Sequence, residues 1–122
     1  LRPSVLVLDE PTAELDPASS RNVFALLSHY AEAHGTTVVV VEQKIALLSE
    51  FADLLVVVEA GRIRFAGAPE EVLAHSEELL EIGVNCPRCT TLMNRLAAGG
   101  LYAGPVCTDI PSACRALCEV AA

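Results

Sequence analysis

The sequence predicts an α/β fold in which parallel strands carry flanking helices and a helical lobe follows at the C-terminal end. Three observations support this. Val5-Leu6-Val7-Leu8 and Thr36 to Val41 are short β-branched and aliphatic runs without polar alternation, the pattern of parallel strands covered on both faces. Between them, Val23, Leu26, Leu27, Tyr30 and Ala31 recur at i, i+3, i+4, i+7 and i+8, which marks one apolar face of a helix. Strand, helix and strand in succession make a βαβ unit with a right-handed crossover. Beyond Gly83 the strand-like runs stop, and helix-like segments broken by Gly and Pro take over.

Each element has a local reason. The run Val5-Leu6-Val7-Leu8 ends in two acids, Asp9 and Glu10, and open α/β sheets place ligands at the carboxyl ends of their strands. Asp16-Pro17 starts the first helix, with the acid as N-cap and proline at the first helical position, where its missing N–H costs nothing. The cap is expected to use one Asp16 oxygen and leave the other available. His34 and Gly35 close that helix. Residues 44–51 read as a short helix and 53–58 as a third strand, with Asp53 a strand-entry and packing residue. Gly61 turns the chain into a hairpin partner at 62–66. Pro69-Glu70-Glu71 opens a helix with acids in its first turn. Further helices are expected at 76–82, 90–98 and 110–121. The composition shift at Gly83 divides the chain into 1–82 and 83–122.

Composition narrows the function. The 122 residues and 52% hydrophobic content suffice for one domain with a core. The longest apolar runs, at 38–41 and 54–58, are far too short to span a membrane, and Leu1-Arg2-Pro3 lacks the design of a signal peptide. A soluble chain without direct membrane insertion is expected. The net charge is −8 and the basic residues do not cluster beyond Arg62 and Arg64, so no nucleic-acid footprint is present. Five cysteines, an odd number, argue against a disulfide framework and for a reducing compartment. Cys86-x-x-Cys89 with Cys107, Cys114 and Cys118 offers enough thiolates for a structural zinc. The competing expectation is core thiols, with Cys114 and Cys118 forming an apolar stripe on one helix face. His29, His34 and His75 have no ligand spacing and read as surface or capping residues.

The string Val5-Leu6-Val7-Leu8-Asp9-Glu10-Pro11-Thr12-Ala13-Glu14-Leu15-Asp16-Pro17 resembles the Walker B strand, catalytic glutamate and D-loop of the ATP-binding cassette (ABC) ATPases. The resemblance implies a partial P-loop NTPase core and assigns roles to particular residues. Asp9 matches the Walker B aspartate, which binds the cofactor by holding Mg²⁺ through water, and a carboxylate at a strand end is a suitable hard-oxygen ligand. Glu10 matches the catalytic glutamate that orients or deprotonates the attacking water. Ala13-Glu14-Leu15-Asp16 matches the D-loop, which in this family reaches across a nucleotide-sandwich dimer towards the P-loop of a partner subunit, and the resemblance makes Asp16 a cofactor-binding candidate. Thr37-Val38-Val39-Val40-Val41-Glu42-Gln43-Lys44 matches the switch region, and Gln43 stands where most of the family has histidine. Glutamine can donate a hydrogen bond there but cannot titrate, which leaves either a weakened site or the variant found in some amino-acid importers.

Residues 52–73 match the closing pattern of the family, and 78–92 resemble the C-terminal extension of energy-coupling factor (ECF) ATPases. The implied activity is ATP hydrolysis with Mg²⁺, coupled to transmembrane uptake. The implied partners are a second ABC ATPase subunit, as homo- or heterodimer, and a transmembrane coupling protein, at the cytoplasmic face of the plasma membrane. The sequence contains no G-x-x-x-x-G-K-[ST] loop and no LSGGQ-like signature, so the resemblance is to the C-terminal half of such a domain. By itself the chain is expected to be inactive. Two alternatives remain at this stage: the ATPase of an amino-acid importer, or a catalytically silent interaction or zinc module derived from such an ATPase.

Overall fold

The computed structural model describes residues 2–122. The chain forms two compact units, one up to Leu47 and the other Leu48–Ala122, with the division inside a short helix.

In the first unit, β1 (Val5–Asp9), α1 (Pro17–His34) and β2 (Thr37–Val41) make the expected βαβ arrangement. β1 and β2 pair in parallel, with Val5 opposite Thr37 and Asp9 opposite Val41. Both strands therefore end at the same edge. α1 begins and ends where its local signals dictate. The Asp16 carboxylate accepts hydrogen bonds from the Ala18 and Ser19 amides, each at 3.0 Å. Gly35 follows the last turn at φ 62°, a left-handed conformation glycine adopts without strain, and its N–H donates to Ala31 O. The His34 ring donates to Tyr30 O at 3.0 Å and stacks on the Tyr30 ring.

Two expectations for this unit need correction. The strands are not covered on both faces: Leu6, Leu8, Val38 and Val40 are half-buried, while Val5, Val7, Val39 and Val41 are exposed. The period of two sends alternate side chains to opposite faces, and α1 is the element of this unit that packs against the sheet. The expected apolar face of α1 holds in part: Val23, Leu27, Tyr30 and Ala31 are half-buried, and Leu26 departs from it. Ser20 and Phe24 are its buried residues, and Leu26 is 67% exposed. Leu26 fits the apolar period, but the helix is rotated so that Phe24, a full turn beyond Ser20, anchors it.

α2 (Ile45–Phe51) bridges the division. In the second unit, β3 (Leu55–Glu59) and β4 (Arg62–Gly67) form an antiparallel hairpin with a bulge between Val57 and Val58. The third strand thus pairs with its hairpin neighbour, and the four strands make two separate two-stranded ladders. Ala60 and Gly61 at the turn both have positive φ, 48° and 76°, as a two-residue turn matched to strand twist requires. Asp53 is exposed ahead of the strand, which removes its expected packing role.

α3 (Pro69–Leu73), α4 (Ser76–Glu81), α5 (Arg88–Ala98) and α6 (Ile110–Ala121) complete the unit. Leu55, Val72, Leu73 and Leu79 are buried, as are Met93, Cys107, Ala113 and Ala116, with Cys89, Leu96 and Tyr102 packed around the latter group. Asn94 of α5 donates to Leu73 O and Ser76 Oγ, both at 2.8 Å, so one amide satisfies polar atoms at the α3–α4 junction. The expected core stripe of Cys114 and Cys118 is not found, because both are exposed. Ala113 and Ala116 face inward instead.

Candidate functional site

The carboxyl ends of β1 and β2 bring together two segments, 9–16 and 42–44, entirely within the first unit. The Glu10 N–H donates to Val41 O at 2.8 Å, which continues the parallel ladder one residue beyond β1. Glu10 itself has φ 45°, a left-handed conformation that costs a non-glycine residue about 1–3 kcal/mol. That twist turns the chain out of the strand and into the loop. Gln43 Nε2 donates to Glu10 Oε1 at 2.5 Å, so the two residues singled out as catalytic are in direct contact. Glu10 Oε2 is not used in that bond. Asp9 is exposed at the strand end, and among the described residues its carboxylate has no side-chain hydrogen-bond partner. A solvated carboxylate of this kind fits a hydrated divalent cation, because it can accept from metal-bound water without giving up another partner.

Asp16 is occupied differently from the expectation. Oδ1 accepts the two cap amides, and Oδ2 accepts the Ser19 hydroxyl at 2.5 Å, so both oxygens serve the helix start. The Ser19 side-chain and backbone hydrogen bonds hold the Asp16 carboxyl below the usual aspartate range.

Sequence reasoning assigned no individual role to Thr12, Glu42 and Lys44, which organise this region. Thr12 is fully buried, and its hydroxyl donates to Glu42 Oε2 at 2.5 Å. Glu42 Oε1 accepts from the Gln43 and Lys44 amides at 2.9 and 3.3 Å. Partial burial pushes the Glu42 carboxyl up, but the Thr12 hydroxyl, the two amides and the Lys44 charge outweigh it and leave it below the usual glutamate range. The Lys44 ammonium donates to Thr12 O at 2.5 Å, Ser20 Oγ at 2.9 Å and Leu15 O at 3.2 Å. One signal could have drawn attention to it: Lys44 is the chain's single lysine, and it adjoins the switch position.

These contacts make the strand ends, the loop after β1 and the segment after β2 one hydrogen-bonded assembly. It presents two carboxylates and an amide, a set suited to a hydrated cation and to a water molecule held for attack. Among the described residues, no three His, Cys, Asp or Glu side chains gather closely enough to hold a metal by themselves.

No protein-family model matches the chain. Individual relatives do. The chain is 38% identical over 100 residues to the energy-coupling factor transporter ATP-binding protein EcfA2 of Symbiobacterium thermophilum, covering 82% of the chain and 34% of that relative. An ABC transporter ATP-binding protein of Pyrococcus horikoshii is 38% identical over 108 residues, 88% of the chain and 38% of the relative. The chain belongs to the ABC transporter ATP-binding proteins. Among solved structures, CbiO1 of Clostridium perfringens, part of the ABC transporter complex CbiONQ, superposes with a TM-score of 0.58 at 34% identity, over 75% of the chain and 36% of CbiO1. The mixed α/β fold is thus that of an ABC ATPase in part. This ABC chain spans about a third of the length of the relatives named here. Among its described residues no helix is long and apolar enough to cross a membrane.

Proposed function

We propose that this chain supplies the Walker B, D-loop and switch segments of the ATP-binding subunit of an ECF-type importer, which couples ATP hydrolysis to transmembrane uptake. The observation that carries the reading is the 2.5 Å bond between Gln43 Nε2 and Glu10 Oε1, which joins the two segments where the sheet ends. Glu10 accepts the proton of the attacking water or orients that water. Gln43 steadies Glu10 and offers its amide to the γ-phosphate, the task histidine performs in most of the family. Asp9 would hold Mg²⁺ through water, and the metal, when bound, would supply charge neutralisation at the phosphates. Asp16 keeps the D-loop at the start of α1, directed towards the nucleotide of a second ABC ATPase subunit. A transmembrane coupling protein is the other partner, and the assembly lies at the cytoplasmic face of the membrane. In this reading 1–82 is the ATPase part and 83–122 a helical extension.

The backbone cradle for phosphate lies in the remainder of an ABC domain, so the 122-residue chain alone is expected to release no phosphate from ATP beyond the buffer rate. A chimera joining it to the preceding segment of the Symbiobacterium relative, assembled with its partner subunits, is expected to hydrolyse ATP. Glu10→Gln in that chimera should lower kcat about 10²–10⁴-fold with ATP affinity retained, because Glu10 acts on water and not on the nucleotide. Equal loss of binding and turnover would assign Glu10 to nucleotide or metal retention. Turnover by the chain alone, abolished by Glu10→Gln, would show that the chain holds a complete site.

A further inference from the structure

The contacts of Lys44 converge on the loop after β1 and the start of α1. A lysine ammonium has three N–H groups, and Lys44 directs all three at one stretch of chain: Thr12 O, Leu15 O and Ser20 Oγ. The first two acceptors lie at the two ends of a turn already closed by the Leu15 N–H to Thr12 O bond at 3.1 Å, and the third lies in the first turn of α1. On the other side of Gln43, Glu42 takes the Thr12 hydroxyl. Thr12 is thus gripped twice, by its hydroxyl and by its carbonyl, from the residues on either side of the switch position.

We infer that Lys44 is a positioning residue that fastens the D-loop to the switch segment, so that the loop's place relative to a partner subunit is transmitted to the Gln43–Glu10 contact. This rests on the ATPase reading above. The physical basis is the short lever. Gln43 is one peptide unit from Glu42 and one from Lys44, and both neighbours are bound to Thr12. A displacement of the D-loop cannot leave Gln43 where it was unless those bonds break. Hydrogen bonds from a charged donor are among the stronger ones available to a side chain.

The test has two parts. In the 122-residue chain, Lys44→Met keeps the aliphatic stem and removes the three donors. Hydrogen exchange at the Leu15 amide should quicken about tenfold or more, while amides of β1, β2 and the body of α1 keep their protection. Unchanged exchange at Leu15, or equal acceleration throughout the first unit, overturns the inference, because the lysine would then be dispensable or merely stabilising. In the chimera with its partners, Lys44→Met should lower kcat about tenfold or more with the KM for ATP within about twofold, since the bonds it removes touch no nucleotide. Turnover with an unaltered kcat overturns the latch alone. Absence of turnover in the unsubstituted chimera overturns the ATPase reading, and the catalytic consequence of the latch with it.

Discussion

The two units of this chain are stabilised in different ways. In the first, Phe24 is the one buried hydrophobic residue among those described, and the other buried residues are Thr12, Ser20 and Thr36. Its order comes from caps, a two-stranded ladder and the charged contacts of Glu42 and Lys44. In the second, Leu55, Val72, Leu73, Leu79, Met93, Cys107, Ala113 and Ala116 are buried. In the proposed reading the difference is the cost of a catalytic edge: residues 9–16 and 42–44 present carboxylates and an amide to solvent, so polar groups take the places that apolar ones would fill. The valines on the outer face of the β1–β2 sheet add to this: Val7 is 65% exposed and Val41 56% exposed. A row of β-branched residues on one sheet face suits cover by another layer, and the chain's relatives are about three times its length.

If the first unit rests on one apolar anchor, Phe24→Ala should be the most damaging single change, costing about 3–5 kcal/mol. Hydrogen exchange resolved by residue should then show β1, α1 and β2 losing protection while the amides around Met93 and Ala116 keep theirs. Simultaneous loss in both units would erase the contrast. Leu79→Ala should cost about 2–5 kcal/mol, with the reverse pattern of lost protection.

The charged contacts make the first unit sensitive to acid. The Glu42 carboxyl is held below its usual value in the folded chain, so its contribution is fully present above the unfolded-state value and fades as pH falls through the folded one. Asp16, also held low, acts in the same direction. Acid titration followed by the Leu15 and Ser19 amides should therefore show the loop and helix cap loosening before the second unit's core. Glu42→Gln should flatten the Leu15 part of that response, and a response left intact would assign the acid sensitivity elsewhere.

The cysteines report on the second unit. Cys114 and Cys118 are exposed and should be alkylated first. Cys86 should follow, because burial pushes its thiol up and lowers the thiolate fraction. Cys107, at 3% exposure, should react last, at the rate at which the core opens. Equal rates for Cys107 and Cys114 would mean that the α5–α6 core is not closed. The smallest effect is expected at the outer sheet face, where Val7→Ala should change the chain's stability by no more than about 0.5 kcal/mol. A larger loss would mean that the face is covered in solution.

Much of this was legible in the residues because it is local. The start of α1 at Asp16-Pro17, its end at His34-Gly35, the hairpin turn before Arg62 and the α6 span Ile110–Ala121 follow from contacts within a few residues, where side-chain type and spacing nearly determine the hydrogen bonds. The Asp9-Glu10 pair was legible as acids at the end of a strand and Gln43 through the resemblance to the switch region, and the parallel strands, which end together, bring the two segments into contact. The tertiary structure decided what depends on neighbours distant in sequence. A repeat of apolar residues says that a helix has a buried face, but only the helix's seat on the sheet chose Phe24 over Leu26. Strand propensity alone does not reveal that one sheet face lacks cover. The Thr12–Glu42 bond joins residues 30 positions apart, and the Lys44 bonds span 24 to 32 positions. Such pairs leave no periodic trace, since a hydroxyl, a carboxylate and an ammonium are all at home in water until the fold sets them within hydrogen-bond reach of one another.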